Sequence, residues 1–309
     1  MTVRVFIDGA VGTTGLEIRE RLESRRDIAL VTLDEARRKD DAARREAIND
    51  ADYVILCLPD DAAREAVAMV ANDRTRAIDA STAHRVADRW TYGFAELEPD
   101  QAARIAGARF VSNPGCYPTG FLALVRPLVR AGLLGEDALL SVNATSGYSG
   151  GGKAMIAEFE GGETNTAYRA YALGLAHKHA PEMRRHAGLA HAPIFQPAVA
   201  RAYRGMVVQV PLHLAQLTRR ASLTDVAEVL ASAYDGNRVV RFAHEATTTV
   251  RIEDDANTDR MTVRVTGNEA TGQALLIATL DNLGKGAAGA AVQNLNIMAG
   301  LDPVAGLTL

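Results

Sequence analysis

A chain of 309 residues, 48% apolar and 23% charged, has the composition of a globular protein long enough to bury an extensive core, in one large domain or two modest ones. Its 34 Lys and Arg against 38 Asp and Glu leave a formal charge of −4, which offers no basic field to a phosphodiester backbone and argues against nucleic acid as a partner. No run approaches the ~18 apolar residues of a membrane span, and two cysteines, Cys57 and Cys116, would staple so long a chain poorly, so a reducing, cytoplasmic setting is expected. The opening MTVRVFIDGAVG reads as a folded strand and turn rather than an export signal. No low-complexity tract or internal repeat points to a solenoid.

In chain order, Val3–Ile7 reads as a strand, Leu16–Leu22 as a helix and Ile28–Leu33 as a strand. After a polar segment, Asp34–Asp50, comes Tyr53–Leu58, a nearly continuous apolar run of the kind found in strands buried on both faces. A helix over Asp61–Ala71 and short strands at Ala77–Asp79 and Phe110–Val111 complete an expected α/β unit, a Rossmann-like doubly wound parallel sheet. The helical pattern Phe121–Ala131 carries Pro127, which is expected to kink or end it. Beyond it Leu139–Ala144, Gly205–Leu214, Val239–Phe242, Thr248–Arg251 and Met261–Thr266 are strand-like and suggest a second, α+β domain with a mixed or antiparallel sheet. Gln273–Leu283 and Gly289–Met298 are apolar at helical spacing, a tail expected to return to the first domain. The expected division is therefore 1–115, completed by 285–309, as the nucleotide-binding domain, and 116–284 as the catalytic and dimerisation domain.

The strand Val3–Ile7 runs into Gly9-x-x-Gly12-x-x-Gly15 and then a helix. Glycines permit a tight turn and close approach of a pyrophosphate, and the helix start offers unpaired N–H groups to it. The spacing is one residue off G-x-G-x-x-G, so a glycine turn that binds nothing is the competing reading. Past the second strand, Asp34 is followed by Arg37-Arg38-Lys39; these favour a 2′-phosphate, hence NADP, against the alternative of a solvated helix face.

Ser112-Asn113-Pro114-Gly115-Cys116 lies between a short strand and a helical run. A thiol at a helix N-terminus has its anion stabilised by the helix dipole and free N–H groups, which makes Cys116 the candidate nucleophile. The same groups suit the oxyanion of a tetrahedral intermediate. Cys57, inside the strand pattern Tyr53–Leu58, reads as a structural thiol.

His177-Lys178-His179-Ala180-Pro181-Glu182 is the one tight histidine cluster among seven histidines. If extended, the segment points both imidazoles to one face, with Pro181 in the first turn of a helix and Glu182 placed to orient a base. A metal site is the rival reading, and no cysteine or further spaced histidine accompanies it. His84, His186, His191, His213 and His244 take no role.

Together these motifs make the sequence resemble the N-acetyl-γ-glutamyl-phosphate reductases, in particular their shorter, type 2 class, over essentially the whole chain. The likeness rests on GAVGTTG at 9–15, DASTAHR at 79–85, SNPGCYPTG at 112–120, SGYSGGGK at 146–153, HKHAPEM at 177–183, FQPAVARAYRGMVVQVPL at 195–212 and GAAVQNLN at 289–296. It implies an oxidoreductase of arginine biosynthesis that uses NADPH to reduce N-acetyl-L-γ-glutamyl phosphate to N-acetyl-L-glutamate 5-semialdehyde. Phosphate would leave as Cys116 forms a thioester. His179 or His177 would be the acid/base, with Glu182 beside it and Tyr171 a second candidate acid. The resemblance further implies Gly9, Gly12, Thr13, Thr14 and Gly15 at the pyrophosphate, Arg38 and Lys39 at the 2′-phosphate, and Asn294 near the nicotinamide. Ser81, Arg85, Asn113, Ser146, Gly147, Lys153 and Arg204 are its candidate substrate contacts. Arg201 and Arg204 depart from the class, which more often has Asn and Gln there. No metal is implied; a homodimer or homotetramer is. Another acyl-phosphate reductase, such as an aspartate-semialdehyde dehydrogenase, and a non-catalytic NADP-binding redox sensor are the alternatives.

Overall fold

In a computed structural model of the protein, which describes residues 2–309, the chain divides into two compact units, Met1–Gly115 with Ala287–Leu307 and Cys116–Gly286 with Thr308–Leu309. The chain thus returns at Ala287, and its last two residues fold with the second unit, where Asp259 N donates to Thr308 O at 2.7 Å and Thr308 N to the Asp259 carboxylate at 2.9 Å.

The first unit runs β1 (Val3–Asp8), α1 (Thr13–Glu23), β2 (Ile28–Val31), α2 (Asp41–Asp50), β3 (Tyr53–Leu56), α3 (Asp60–Ala68), β4 (Arg76–Asp79), β5 (Thr91–Tyr92), α4 (Gln101–Gly107) and β6 (Phe110–Ser112). Its six strands pair in parallel in the order β2-β1-β3-β4-β6-β5. Side chains alternate between the faces of a strand, and both faces here are apolar. Val5, Ile7, Ile55 and Ile78 enter a core closed by Ile18 and Leu22 of α1, Ile105 of α4 and the C-terminal helix. Phe6, Val54, Leu56 and Ala77 enter a second core with Ala47 and Ile48 of α2 and Ala66 of α3. Helices therefore cover both faces, as a doubly wound sheet requires. Helix α2 lies inside the segment that reads as merely polar: Asp40 caps it by accepting from Ala43 N at 2.7 Å, and its inner face is only Ala43, Arg44, Ala47 and Ile48.

The second unit contains α5 (Cys116–Arg130), β7 (Ser141–Gly147), α6 (Gly152–Glu160), β8 (Tyr168–Ala170), α7 (Ala180–Ala187), β9 (Ile194–Ala200), β10 (Met206–His213), α8 (Leu223–Ala233), β11 (Val240–Phe242), β12 (Met261–Asn268) and β13 (Gln273–Leu280). The strands form a mixed sheet, β11-β12-β13-β10-β7-β9-β8, in which β7–β9 and β11–β12 are parallel and the other pairs antiparallel. The final helix, α9 (Gly289–Ala299), belongs to the first unit.

Three expectations need correction. Gln273–Leu283 is not helical: β13 sits between β10 and β12, paired on both sides, and a short run of continuous apolar residues cannot reveal its period. Thr248–Arg251 forms no strand; Thr247 Oγ1 donates to Thr249 O at 2.7 Å, a local bond that competes with ladder formation. Pro127 does not end α5, which begins at Cys116 and continues to Arg130, with Ala131 N bonded to Pro127 O at 2.9 Å. Burial of nearly every side chain of α5 outweighs the missing N–H. Gly120 permits that packing, since a Cβ there would lie 2.6 Å from Cγ2 of Val208.

Candidate active site

In the first unit, β1 ends at Asp8 and the chain turns at Gly9. Its φ of +87°, and a Cβ that would fall 2.3 Å from Cys57 O, admit glycine alone. At Gly15 a Cβ would lie 2.4 Å from Gly9 O. Gly12 caps α1 in extended conformation, without a side-chain cap and with no acid in the first turn. The first-turn N–H groups of Thr13, Thr14 and Gly15 therefore face outward unopposed by a carboxylate, the arrangement that receives phosphate.

A cavity of about 480 Å³ opens beside this turn, with Gly9, Gly12, Leu33, Arg38, Lys39 and Arg44 in its wall. Arg44 was not singled out by the sequence; it reaches from α2 to Asp8, with Nη2 2.9 Å and Nε 3.2 Å from Oδ2. Asp34 is outside the wall: its carboxylate accepts from Arg37 N at 2.9 Å, while Arg37 turns to Glu46 at 3.3 Å. Arg38 pairs only loosely, at 3.4 Å, with a Glu35 carboxylate that is 90% exposed, a weak contact. Of Asp34, Arg37, Arg38 and Lys39, the cavity thus receives Arg38 and Lys39 but neither Asp34 nor Arg37. These donors fit a dinucleotide with a 2′-phosphate. Cys57 also lines the cavity, and burial, with Asp79 and Asp8 adding, pushes its thiol up to about 12. It is inert at neutral pH.

At the carboxyl ends of β4 and β6 the candidate residues hold each other. Fully buried Asp79 accepts from Ser81 N (2.9 Å), Ser81 Oγ (2.7 Å) and His84 Nδ1 (2.6 Å). His84, unassigned from the sequence, stacks on Trp90 with ring centroids 4.1 Å apart. Arg85 donates to Asn113 O at 2.9 Å and Ala80 O at 3.1 Å. Asn113 Nδ2 donates to Ala287 O at 2.9 Å and its Oδ1 accepts from Asn294 Nδ2 at 3.1 Å; Asn294 also donates to Gly93 O at 2.9 Å. Asn113 and Asn294 are both buried, the latter completely; these amides tie β5, β6 and α9 together, and Asn294 Oδ1 is buried without a hydrogen-bond partner.

In the second unit Cys116 is the first residue of α5, whose first turn carries no acid. A Cβ on Gly286 would lie 2.8 Å from Cβ of Cys116, so glycine lets that backbone pack against the cysteine. Tyr117 follows: its hydroxyl donates to Ala198 O at 2.9 Å and accepts from Tyr171 at 3.3 Å. Its ring lies 6.2 Å from that of His177, 5.9 Å from His179 and 5.1 Å from Phe195. The two imidazoles are 4.7 Å apart, centroid to centroid. They meet through a turn rather than an extended segment, with His179 at φ −84°, ψ −15° capping α7. Pro181 falls in the first turn of α7, and Glu182 is buried one residue on.

The electrostatics join the cysteine to this cluster. Burial raises the Tyr117 phenol well above its ordinary value, with Tyr171 and Cys116 adding. Burial likewise pushes Tyr171 up to about 12, with Cys116 again contributing, against the Tyr117 hydrogen bond. Burial lowers the pKa of His177, helped by Lys178 and opposed by Glu182. Cys116, Tyr117, Tyr171, His177 and His179 are thus one neighbourhood.

The remaining candidates differ. Ser146 Oγ donates to Gly147 O at 3.0 Å, and a Cβ on Gly147 would strike Cα of Arg204 at 2.7 Å. Arg204 lies over the Tyr203 ring and 3.6 Å from the buried Asp281 carboxylate, which also accepts from Asn257 N, Leu283 N and Gly284 N. Lys153 is exposed on α6.

Residues 4–105 match the NAD binding domain of semialdehyde dehydrogenases, and residues 116–282 their dimerisation domain. The fold resembles aspartate semialdehyde dehydrogenase II of Vibrio cholerae (TM-score 0.72, 16% identity, 97% of this chain and 99% of that one) and the enzyme of Candida albicans solved with NADP (TM-score 0.66, 14% identity, 97% and 99%). Among curated relatives, N-acetyl-gamma-glutamyl-phosphate reductase of Chelativorans sp. is 50% identical over 96% of this chain and 98% of its own. The Rhizobium rhizogenes enzyme of that name is 49% identical over 96% and 99%. N-acetyl-gamma-glutamyl-phosphate reductase 2 of Nostoc sp. is 47% identical over 98% and 99%. At half identity along nearly its whole length, with a helix-opening cysteine and paired imidazoles in place, this chain belongs to the N-acetyl-γ-glutamyl-phosphate reductase family.

Proposed function

We propose that the protein reduces N-acetyl-γ-glutamyl phosphate to the γ-semialdehyde with NADPH, through a thioester on Cys116. The observation that supports the chemistry is an aromatic cluster in which Tyr117, next to Cys116 in the chain, meets both imidazole rings, while Cys116 acts electrostatically on Tyr117 and Tyr171. The relatives' name supplies the substrate.

The Cys116 sulfur attacks the acyl carbon; the C–O bond to phosphate breaks and inorganic phosphate leaves with the bonding pair. The dipole at the start of α5 holds the thiolate before attack and stabilises the oxyanion that forms. An imidazole of the pair takes the thiol proton and later returns one. The glycine turn, with Arg38 and Lys39 at the 2′-phosphate, would hold NADPH, and that group would supply the hydride needed to reduce a thioester. Collapse of the resulting thiohemiacetal breaks the C–S bond, releases the aldehyde and restores the thiolate. Arg85 anchors the chain that leads into Cys116 by donating to Asn113 O. The protein acts on a small molecule as a homo-oligomer, a dimer or tetramer, and works in the cytoplasm.

The test is to mix protein, NADP, phosphate and N-acetylglutamate semialdehyde and follow NADPH absorbance. Turnover on this aldehyde, with little on aspartate semialdehyde, is expected. Turnover on aspartate semialdehyde alone would replace the substrate, and none on any aldehyde would leave only nucleotide binding.

A further inference from the structure

We propose that His177 is a positioning residue locked as the neutral Nε2–H tautomer, and that His179 alone exchanges protons with the reaction. The proposal rests on the reductase reading above, because it concerns how that site divides its labour.

The decisive contact is the backbone N–H of His179 donating to Nδ1 of His177 at 3.1 Å. An amide N–H can only donate, so Nδ1 must present its lone pair, and a neutral imidazole then carries its proton on Nε2. Protonating Nδ1 would set two donors against each other and leave the His179 amide, at the cap of α7, without its acceptor. His177 cannot become an imidazolium without dismantling the turn that presents His179. It cannot serve as a base through Nε2 either, since that nitrogen already holds its proton. His179 has no such constraint on its ring from this contact, which uses its main chain.

The surroundings hold His177 in this state. Tyr171 meets its ring at 5.7 Å, Phe195 of β9 at 5.0 Å and Tyr117 of α5 at 6.2 Å, all edge-to-face. The hydroxyls of the two tyrosines are engaged with each other and with Ala198 O. The charged groups bearing on the ring are Lys178, which disfavours a second positive charge, and Glu182 of α7, which favours it but is outweighed by burial and Lys178 together. The phenols stay neutral at working pH, and of the charged side chains that act on His177, Glu182 favours its protonation and Lys178 disfavours it.

Asparagine places an amide oxygen near the position of Nδ1 and cannot titrate, so it separates positioning from proton transfer. His177→Asn is expected to retain kcat within about tenfold and to keep the acid limb of the kcat/KM profile, whereas His177→Phe loses the acceptor and more of kcat. His179→Asn is expected to lose roughly 10² to 10⁴-fold, the usual span for a general acid/base, together with that limb. In parallel, ¹⁵N spectra of histidine-labelled protein report tautomers without any turnover. The expected His177 signals are an unprotonated Nδ1 and a protonated Nε2 that do not change across the pH range of the limb. An acid limb that vanishes in His177→Asn, or a His177 ring that titrates with it, overturns the assignment. Were another acyl phosphate the true substrate, the spectra would still decide the tautomer, so the two failures are distinguishable.

Discussion

Replacing both Arg38 and Lys39 with Ala should convert a cofactor preference into near indifference. A hydrogen bond to a charged group contributes about 1.5–3 kcal/mol, but the Arg38 side chain is 36% exposed and solvent screens it, so about 1–1.5 kcal/mol per cation is appropriate. The pair then contributes about 2–3 kcal/mol, a loss of roughly 30- to 150-fold in kcat/KM for NADPH. NADH lacks the 2′-phosphate, so its kcat/KM should hold within about twofold. The cost to folding is small, because Arg38 pairs with an exposed carboxylate, that of Glu35. Steady-state rates with both nucleotides at fixed acyl substrate measure this directly. Parallel loss with NADH and NADPH would refute the argument, since it would mean that the two cations shape the cavity rather than read the phosphate.

Gly9→Ala should cost more than about 2 kcal/mol, because it forces a positive φ on an L-residue and drives a methyl into Cys57 O; a lowered melting temperature and loss of NADP-induced stabilisation check it. Cys116→Ser should abolish turnover while nucleotide affinity, by fluorescence titration, stays within about twofold; equal loss of both would contradict a purely chemical role. Gly120→Val should destabilise by about 1–3 kcal/mol through the clash with Val208, read as a lower urea midpoint. His177 has a lowered folded pKa against an ordinary value of 6.5, so the unfolded chain binds more protons below that pH. Its contribution to stability is complete above about pH 6.5 and lost as the pH falls toward the folded pKa. Urea midpoints at pH 7.5 and 5.5 should therefore differ more in the wild type than in His177→Asn.

Much of this architecture is written locally. The short apolar run Val3–Ile7, the glycines at 9, 12 and 15 and the apolar run Tyr53–Leu58 make the doubly wound sheet legible, because apolar runs and turn chemistry are properties of neighbouring residues. The strand β13 was hidden, because its state is set by pairing with β10 and β12, which are distant in sequence. Helix α2 was hidden because its inward face is two alanines, one isoleucine and an arginine, too little apolar signal to show a period. The site divides the same way. Cys116 and the His-x-His cluster announce themselves by residue type and frame, but the Arg44–Asp8 pair and the Tyr117, Tyr171 and Phe195 enclosure arise only when separate elements meet. The dispositions of Asn113 and Asn294 follow from that too: polar residues in family motifs suggest ligand contacts, and only packing shows that these two amides face each other.

The most direct measurement is the intact mass of protein mixed rapidly with N-acetyl-γ-glutamyl phosphate without NADPH and quenched in acid. The account predicts stoichiometric phosphate release and one N-acetylglutamyl adduct, mapped to Cys116, cleared by NADPH and absent in Cys116→Ser. Full turnover with no such adduct, or an adduct on Cys57, would contradict it.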